Sequence, residues 1–595
     1  MNRMSLNSKY PDVNLVKIKS IFRSDISILI YYFMLYFFIS FGVYKTTFPT
    51  IGVNDDEFFA DLISGKYTGT PESQVHISNA SPQWIFGLSV SSLYKIAPSI
   101  SWYFVILGLT VIISLTLITF ITQRTTNNYA QNIFSIIVST VIIVWYIQSP
   151  TYTASSFFAG ISGFYCLVYY LSNQPKIIYG VIAALQMCWA LSIRTESFIA
   201  VFIVFSVLTT AYFLFSGIGK WLLLKPIILI ILMPLITILI NSAGEKILFT
   251  ETEWKTYRNF ETARYAIQDN EIERIISTDP AKYGWQDYEY KLFDSYNFVY
   301  QEPFEGDKLN NIIENTKVSK DTSITYNSRD IINRVVSKFK AFAFLFSSSA
   351  LIALYLIIFL ILCKKYSYLM YFTVYSLIGS STLFLLIVYL TIFLRLPERI
   401  VFPLATFLPF ILLFSFILIS SKSEFRYRNN KLNTAILLLF LFLIGMVSKQ
   451  DFDQLYFFKR NPAFRYFWGE QYEFLRSLGS DKILIGNASQ FKSIWSDPYI
   501  RSDSLEELNI ISTGWYSYSP YWVRRVEMYG LNSTNLGDSL INNSNTLWMS
   551  DDENTKVIAE AIYQRNGYKP DVEKIGSLVF DQGEYAAYRF SDSTN

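Results

Sequence analysis

Ile26-Ser-Ile-Leu-Ile-Tyr-Tyr-Phe-Met-Leu-Tyr-Phe-Phe-Ile-Ser-Phe-Gly-Val43 runs without a single charged residue. A helix rises about 1.5 Å per residue, so this run is about as long as a bilayer's hydrocarbon core is thick. The residues before it are polar and include Lys9, Lys17, Lys19 and Arg23. The run is too long for an ordinary signal-peptide core, and no small-residue cleavage site follows it. It reads as an uncleaved first membrane span. Ten further apolar runs lie near 102–121, 131–148, 154–172, 177–193, 198–216, 221–241, 341–363, 368–394, 400–420 and 432–447. The expected fold class is therefore an α-helical multi-pass membrane protein with about eleven transmembrane helices.

Composition agrees with that class. Apolar residues make up 52% of the 595-residue chain and charged residues only 16%, so the many apolar runs have no use in a soluble protein. The net charge of +3 is too small to suggest a nucleic-acid partner. Cys166, Cys188 and Cys363 all lie in or beside apolar runs. That placement offers neither a disulfide framework nor a zinc knuckle.

Orientation follows from the distribution of basic residues. With the N-terminus inside, the short inner connections carry Arg124, Lys176, Lys220, Lys364, Lys365, Lys422, Arg426, Arg428 and Lys431. Three large polar segments then lie outside: loops 44–100 and 243–340, and the region 448–595. The expected organisation is a transmembrane domain over 1–447 and an extracytoplasmic domain over 448–595. The second reads as a small α/β domain. Lys482-Ile-Leu-Ile-Gly has the pattern of a buried strand, Val557–Tyr563 has helical spacing, and Ser577–Phe580 and Tyr585–Phe590 read as closing strands around Asp581-Gln-Gly.

Chemistry is concentrated at the outer ends of the spans. The first outer loop opens with Asn54-Asp55-Asp56-Glu57, and Phe58, Phe59, Leu62 and Ile63 make one apolar helical face behind it. This spacing predicts a short amphipathic helix on the membrane surface. Asp55 and Asp56 are candidate general bases there, although acidic residues also favour helix N-termini for purely structural reasons. The loop continues through Glu72 to His76, the one histidine of the chain, and to a second helix expected near 82–96. With no second histidine, any metal site would be built mostly from carboxylates, which favours Mg, Mn or Ca over zinc. Arg194 and Glu196 sit at the outer end of the fifth span, and Arg395, Glu398 and Arg399 at the outer junction of spans nine and ten. Basic residues on the outer side run against the positive-inside pattern. An anionic ligand explains them, because Arg holds phosphate bidentately; so does an Arg–Glu pair closing a helix end. In the second loop, Arg264, Trp285 and Asp287 suit sugar stacking and hydroxyl hydrogen bonds, and equally suit packing of the loop. Neither a G-x-x-x-x-G-K-[ST] loop nor a strand-linked G-x-G-x-x-G is present, which argues against a cytosolic nucleotide site.

The Asp55-Asp56 pair just after span one, with the many spans and the soluble C-terminal region, resembles the GT-C superfamily of membrane glycosyltransferases. Tyr67-Thr-Gly-Thr-Pro-Glu72 and Arg395-Leu-Pro-Glu-Arg399 also look like motifs of bacterial membrane proteins of surface-polysaccharide synthesis. The resemblance implies a GT-C-like fold in the bacterial plasma membrane and a polyprenyl-phosphate-sugar donor. It implies a glycan or lipid-linked acceptor attacking the anomeric carbon, with inversion as part of that expectation. Asp55 or Asp56 would be the base. Arg194 and Arg399 would stabilise the departing phosphate, with Glu57, Glu72, His76, Glu196, Arg264, Trp285, Asp287, Arg395 and Glu398 as further substrate-binding candidates. His76 matches no family position. Two rival readings are a polysaccharide polymerase, which joins lipid-linked glycans on the same face, and a transporter of lipid-linked sugar. A transporter is expected to show repeated halves or ionisable residues at the bilayer midplane, and neither stands out. The charge distribution predicts that reporter fusions at residues 22 and 595 report opposite sides of the membrane; the same side for both would contradict the odd span count.

Overall fold

The structure is a computed structural model. It describes residues 15–47, 49, 51, 54–75, 77, 81–126, 129–172, 177–216, 220–248, 250–268, 272, 276–318, 343–362, 366–393, 398–420, 462–491, 498–499, 508–580 and 583–593. Its helical part begins with α1 (Leu15–Thr46), followed by two short helices, α2 (Asn54–Ser64) and α3 (Trp84–Ile96). Then come α4 (Trp102–Thr126), α5 (Tyr129–Gln148), α6 (Tyr152–Ser172), α7 (Ile177–Ile193), α8 (Thr195–Ser216) and α9 (Lys220–Leu248). The second long loop folds as α10 (Thr252–Gln268), α11 (Asp287–Asp294) and α12 (Gly306–Val318). The chain continues as α13 (Ala343–Leu362), α14 (Tyr366–Phe393) and α15 (Glu398–Ser420).

Among the described residues, seven helices are long and apolar enough to cross a membrane. They lie in α1, α4, α5, α6, α8, α14 and α15. The helices α7, α9 and α13 fall on three more of the expected spans, and the expected span 432–447 lies outside the described residues. The segment Ile400–Ser420 of α15 is almost wholly enclosed, whereas Tyr366–Thr391 of α14 mostly faces outward. This contrast is what an apolar-all-round helix shows at the centre and at the rim of a membrane bundle. The bundle is aromatic: Phe205, Phe410 and Phe414 pack around Tyr165, with Phe407 against Phe205, and the Tyr165 hydroxyl donates to the Phe410 carbonyl at 2.8 Å.

The two ends of the bundle differ. At one end the buried carboxylate of Asp25 pairs with Arg124 at 2.6 Å and accepts from the Tyr179 hydroxyl at 3.1 Å, tying the starts of α1 and α7 to the end of α4. This is the end that the basic residues assign to the inside. At the other end lie α2, α3, the second loop and the C-terminal domain.

The C-terminal domain contains α16 (Pro462–Ser477), α17 (Pro520–Met528), α18 (Leu536–Asn542) and α19 (Asp552–Asn566) around one mixed sheet. The strands are β1 (Ile483–Asn487), β2 (Asn509–Thr513), β3 (Thr546–Ser550), β4 (Asp571–Phe580) and β5 (Gly583–Ser591), in the order β2-β1-β3-β5-β4. β1 runs parallel to both β2 and β3, and β5 is antiparallel to β3 and β4. The expected strands at 482–486, 577–580 and 585–590 are all present, as is the helix at 557–563. The edge strand β2 and the fully buried β3 are additional. Phe580 pairs with Gly583; the expected turn at Asp581-Gln lies outside the described residues.

One side of this sheet is continuous with the two long loops. A single buried apolar cluster runs from Phe58, Phe59 and Leu62 through Trp254, Phe260 and Phe298 to Trp522, Trp548 and Ile562. The second loop docks on the domain with backbone bonds: Gln301 N–H donates to the Thr534 carbonyl at 3.0 Å and Gly537 N–H to the Val299 carbonyl at 3.1 Å. Gly537 has no room for a side chain, since a Cβ there would stand 2.3 Å from the Tyr300 ring. Gly537→Ala is expected to destabilise this junction by about 1–3 kcal/mol through overpacking, read as a lower thermal unfolding midpoint of the purified protein. An unchanged midpoint would mean that the loop and domain are not packed this closely.

Candidate active site

Successive residues of a helix point about 100° apart, so the three acids that open α2 diverge. Asp55 is half-buried and accepts from the Trp515 indole N–H at 3.0 Å. Asp56 turns into the bundle and is completely buried. Glu57 faces a cleft beneath the C-terminal domain. The apolar face expected to rest on lipid is instead covered by protein. Phe58 stacks on Tyr516 with ring centroids 4.0 Å apart and 5° between planes, and Phe59 meets Tyr152 and Trp515 at 5.7 and 5.8 Å. The helix is held between the bundle and the C-terminal domain because aromatic rings from both close on its two apolar sides.

A buried carboxylate is costly unless it is hydrogen-bonded. Asp56 Oδ1 accepts from the Tyr103 hydroxyl at 2.8 Å and from the Tyr152 backbone N–H at 3.0 Å. Tyr103 lies in the first turn of α4, and Tyr152 is the first residue of α6. The N–H groups of a helix's first turn have no partner within the helix and carry the positive end of its dipole. Asp56 thus caps α6 from another helix.

Tyr152 also faces Arg194. The guanidinium lies 4.9 Å from the centroid of the Tyr152 ring, and its Nη1 donates to the Tyr152 hydroxyl at 3.1 Å and to Thr153 Oγ1 at 2.5 Å. Its Nε stands 3.5 Å from Glu196 Oε2. Arg194 is only 4% exposed. Asp56 and Arg194, far apart in sequence, are therefore joined through one tyrosine at the end of the bundle nearest the C-terminal domain.

The other candidates are placed elsewhere. Arg264 is buried and holds Glu261 with two bonds, at 2.6 and 2.7 Å, and Gln268 with one at 2.8 Å. Trp285 is buried against Phe293, and Asp287 pairs with Lys291 on the exterior at 2.7 Å. Glu72 meets Arg524 of the C-terminal domain at 3.3 Å. His76, Arg395 and the side chains of Glu398 and Arg399 lie outside the described residues. Among the described residues, no group of three or more His, Cys, Asp or Glu side chains is placed to hold a metal ion. Tyr103, Tyr152, Trp515 and Tyr516 are the partners that sequence reasoning missed. Each is an aromatic residue in a chain that is 18% aromatic, so residue type alone gave no signal.

No protein-family model matches the chain, and no curated protein matches it. Two solved structures to which it is similar are both of ArnT from Cupriavidus metallidurans. One is bound to undecaprenyl phosphate: it is 9% identical, with a TM-score of 0.35, and the match covers 95% of this chain and 97% of that one. The other is the apo state, also 9% identical, with a TM-score of 0.37 and coverage of 93% and 97%. A likeness this distant says nothing by itself about activity.

Removing one donor tests the Asp56 geometry. A hydrogen bond to a charged group contributes about 1.5–3 kcal/mol, so Tyr103→Phe is expected to lower the thermal midpoint while the protein still inserts. A variant as stable as the parent would contradict the Tyr103–Asp56 bond.

Proposed function

We propose that this chain is a GT-C-like glycosyltransferase. In this reading it moves a sugar from a polyprenyl-phosphate donor to a glycan or lipid-linked acceptor on the extracytoplasmic face, with inversion. The observation that carries the reading is the buried Asp56 carboxylate at the outer end of a membrane bundle, oriented by Tyr103 and Tyr152 and joined through Tyr152 to Arg194.

The reaction is a single displacement. The acceptor hydroxyl oxygen forms a bond to the anomeric carbon as the bond from that carbon to the phosphate oxygen breaks. The bonding pair leaves with the polyprenyl phosphate, and the hydroxyl proton passes to an aspartate. Two fixed donors on one oxygen hold the Asp56 carboxyl in one orientation, which general-base transfer needs. Asp55, on the neighbouring side of α2, is the second candidate base, and its bond to Trp515 sets it against the C-terminal domain. Arg194 contributes positive charge where negative charge grows on the leaving phosphate. Its side chain is enclosed, so it acts through Tyr152 and through its field rather than as an open clamp.

The test is transfer of labelled sugar from polyprenyl phosphate to acceptor, with expression and thermal stability as controls. Asp56→Asn keeps size and shape but cannot take a proton near neutral pH. Loss of a general base costs on the order of a hundred- to ten-thousand-fold in rate, and a fall in that range is expected for Asp56→Asn or Asp55→Asn. A cap served as well by Asn as by Asp would leave the rate nearly unchanged. Near-parental transfer by both variants removes the base assignment.

A further inference from the structure

On the opposite side of α2 from the bundle is a cleft of about 610 Å³, within the roughly 300–1,000 Å³ usual for small-ligand sites. It lies between α2 with its following turn, the end of α3, the edge strand β2 and α17. Its charged lining carries both signs: Glu57 and Asp61 from α2, Lys66 from the turn, Lys95 from α3 and Arg525 from α17. Tyr67, Tyr94, Tyr516 and Tyr529 add aromatic surface.

The turn that presents Tyr67 is tightly built. Gly65 has φ +84°, and a Cβ there would stand 2.6 Å from the backbone of Thr70 and Pro71. Gly69 has φ +85° and donates its N–H to the Gly65 carbonyl at 2.8 Å. Glycine adopts such angles without strain. The Tyr67 hydroxyl that this turn holds against the cleft is buried and has no hydrogen-bond partner among the described residues; the same is true of Arg525 Nε. The Arg525 guanidinium lies 6.0 Å from the Tyr67 ring and 4.9 Å from the Tyr529 ring. Burial is the main cause that pushes the Tyr67 phenol above its ordinary pKa, with Tyr516 adding to it, so this hydroxyl keeps its proton and can both donate and accept. Unpaired buried polar groups destabilise a fold; two of them on one cleft point to a ligand that supplies the missing bonds.

The lining selects the ligand's chemistry. An acyl chain would strip water from five charged groups without replacing their hydrogen bonds. A bare phosphate would face Glu57 and Asp61. A sugar presents hydroxyls that satisfy acids, bases and the Tyr67 hydroxyl alike, and its ring faces pack on aromatic surface. We propose that this cleft binds a saccharide: the non-reacting part of the acceptor glycan. The assignment of that saccharide as acceptor rests on the glycosyltransferase reading. Asp56 faces away from the cleft, so the cleft contributes binding energy remote from the reacting atoms.

The experiment places the full-length protein, in lipid nanodiscs, on a printed array of bacterial surface oligosaccharides. Dissociation constants for the best-binding oligosaccharide are then compared between the parent, Tyr67→Phe, Asp61→Asn and Asp56→Asn. One lost hydrogen bond corresponds to about a five- to tenfold weaker affinity, and this is expected for Tyr67→Phe and for Asp61→Asn, with a thermal midpoint for Tyr67→Phe no lower than the parent's. Asp56→Asn is expected to bind like the parent. Absence of binding by the parent across the array, or affinities within twofold of the parent for both cleft variants, overturns the proposal. Sugar transfer by the parent alongside that failure leaves the glycosyltransferase reading standing. Cleft binding without any transfer does the reverse.

Discussion

The end of the bundle that carries the C-terminal domain depends on the burial of one eleven-residue helix, α2. Its sequence is too short and too acidic to be stable alone. What holds it is contact on every side: Asp56 bonded to Tyr103 and Tyr152, Phe58 stacked on Tyr516, and Asp55 bonded to Trp515. These contacts come from the bundle and from a domain more than four hundred residues away in the chain. Remove them, and the carboxylates lose their fixed directions while the domain loses its seat. Additional ties at the same junction, Tyr521 to the Gln74 carbonyl at 2.9 Å and Arg524 to Glu72 at 3.3 Å, reinforce the seat from the turn that follows α2.

The same helix divides three carboxylates among three environments. Asp56 is enclosed and oriented, Asp55 stands at the domain junction, and Glu57 faces the cleft. A loop could not hold neighbouring acids apart so strictly; helical geometry does it because adjacent side chains diverge by about 100°. In the proposed reaction this division separates proton transfer on one side of α2 from saccharide binding on the other. The motif Asp55-Asp56-Glu57 is thus better understood as three separate positions than as one acidic cluster.

Much of the architecture was legible in the sequence. Apolar runs long enough to cross a bilayer have few alternative explanations, and the helices α1 and α4 to α8 fall where those runs lie. The strand expected at 482–486 was visible through the consecutive Ile483, Leu484 and Ile485, whereas β2, Asn509-Ile-Ile-Ser-Thr, offers only two large apolar residues and acquires its identity by pairing with β1. The acidic turn of α2 was legible, but its partners were not. Tyr103 and Tyr152 stand at the ends of apolar runs, where tyrosine is common for other reasons, and Trp515-Tyr516 carries no periodic signal. For Arg264 and Asp287 the spacing did hold information: Glu261, Gln268 and Lys291 stand three or four residues away, the separation at which helix neighbours pair. The structure shows those pairs made.

The central claim is that lipid phosphate and Asp56 share one site at the end of the bundle that carries the C-terminal domain. The most direct measurement is an experimental map of the full-length protein in nanodiscs containing polyprenyl phosphate. The account predicts phosphate density beside Asp56, on the side of Tyr152 and Arg194. Phosphate bound only at the Asp25–Arg124 end, or a bundle that binds none while retaining its fold, would contradict it.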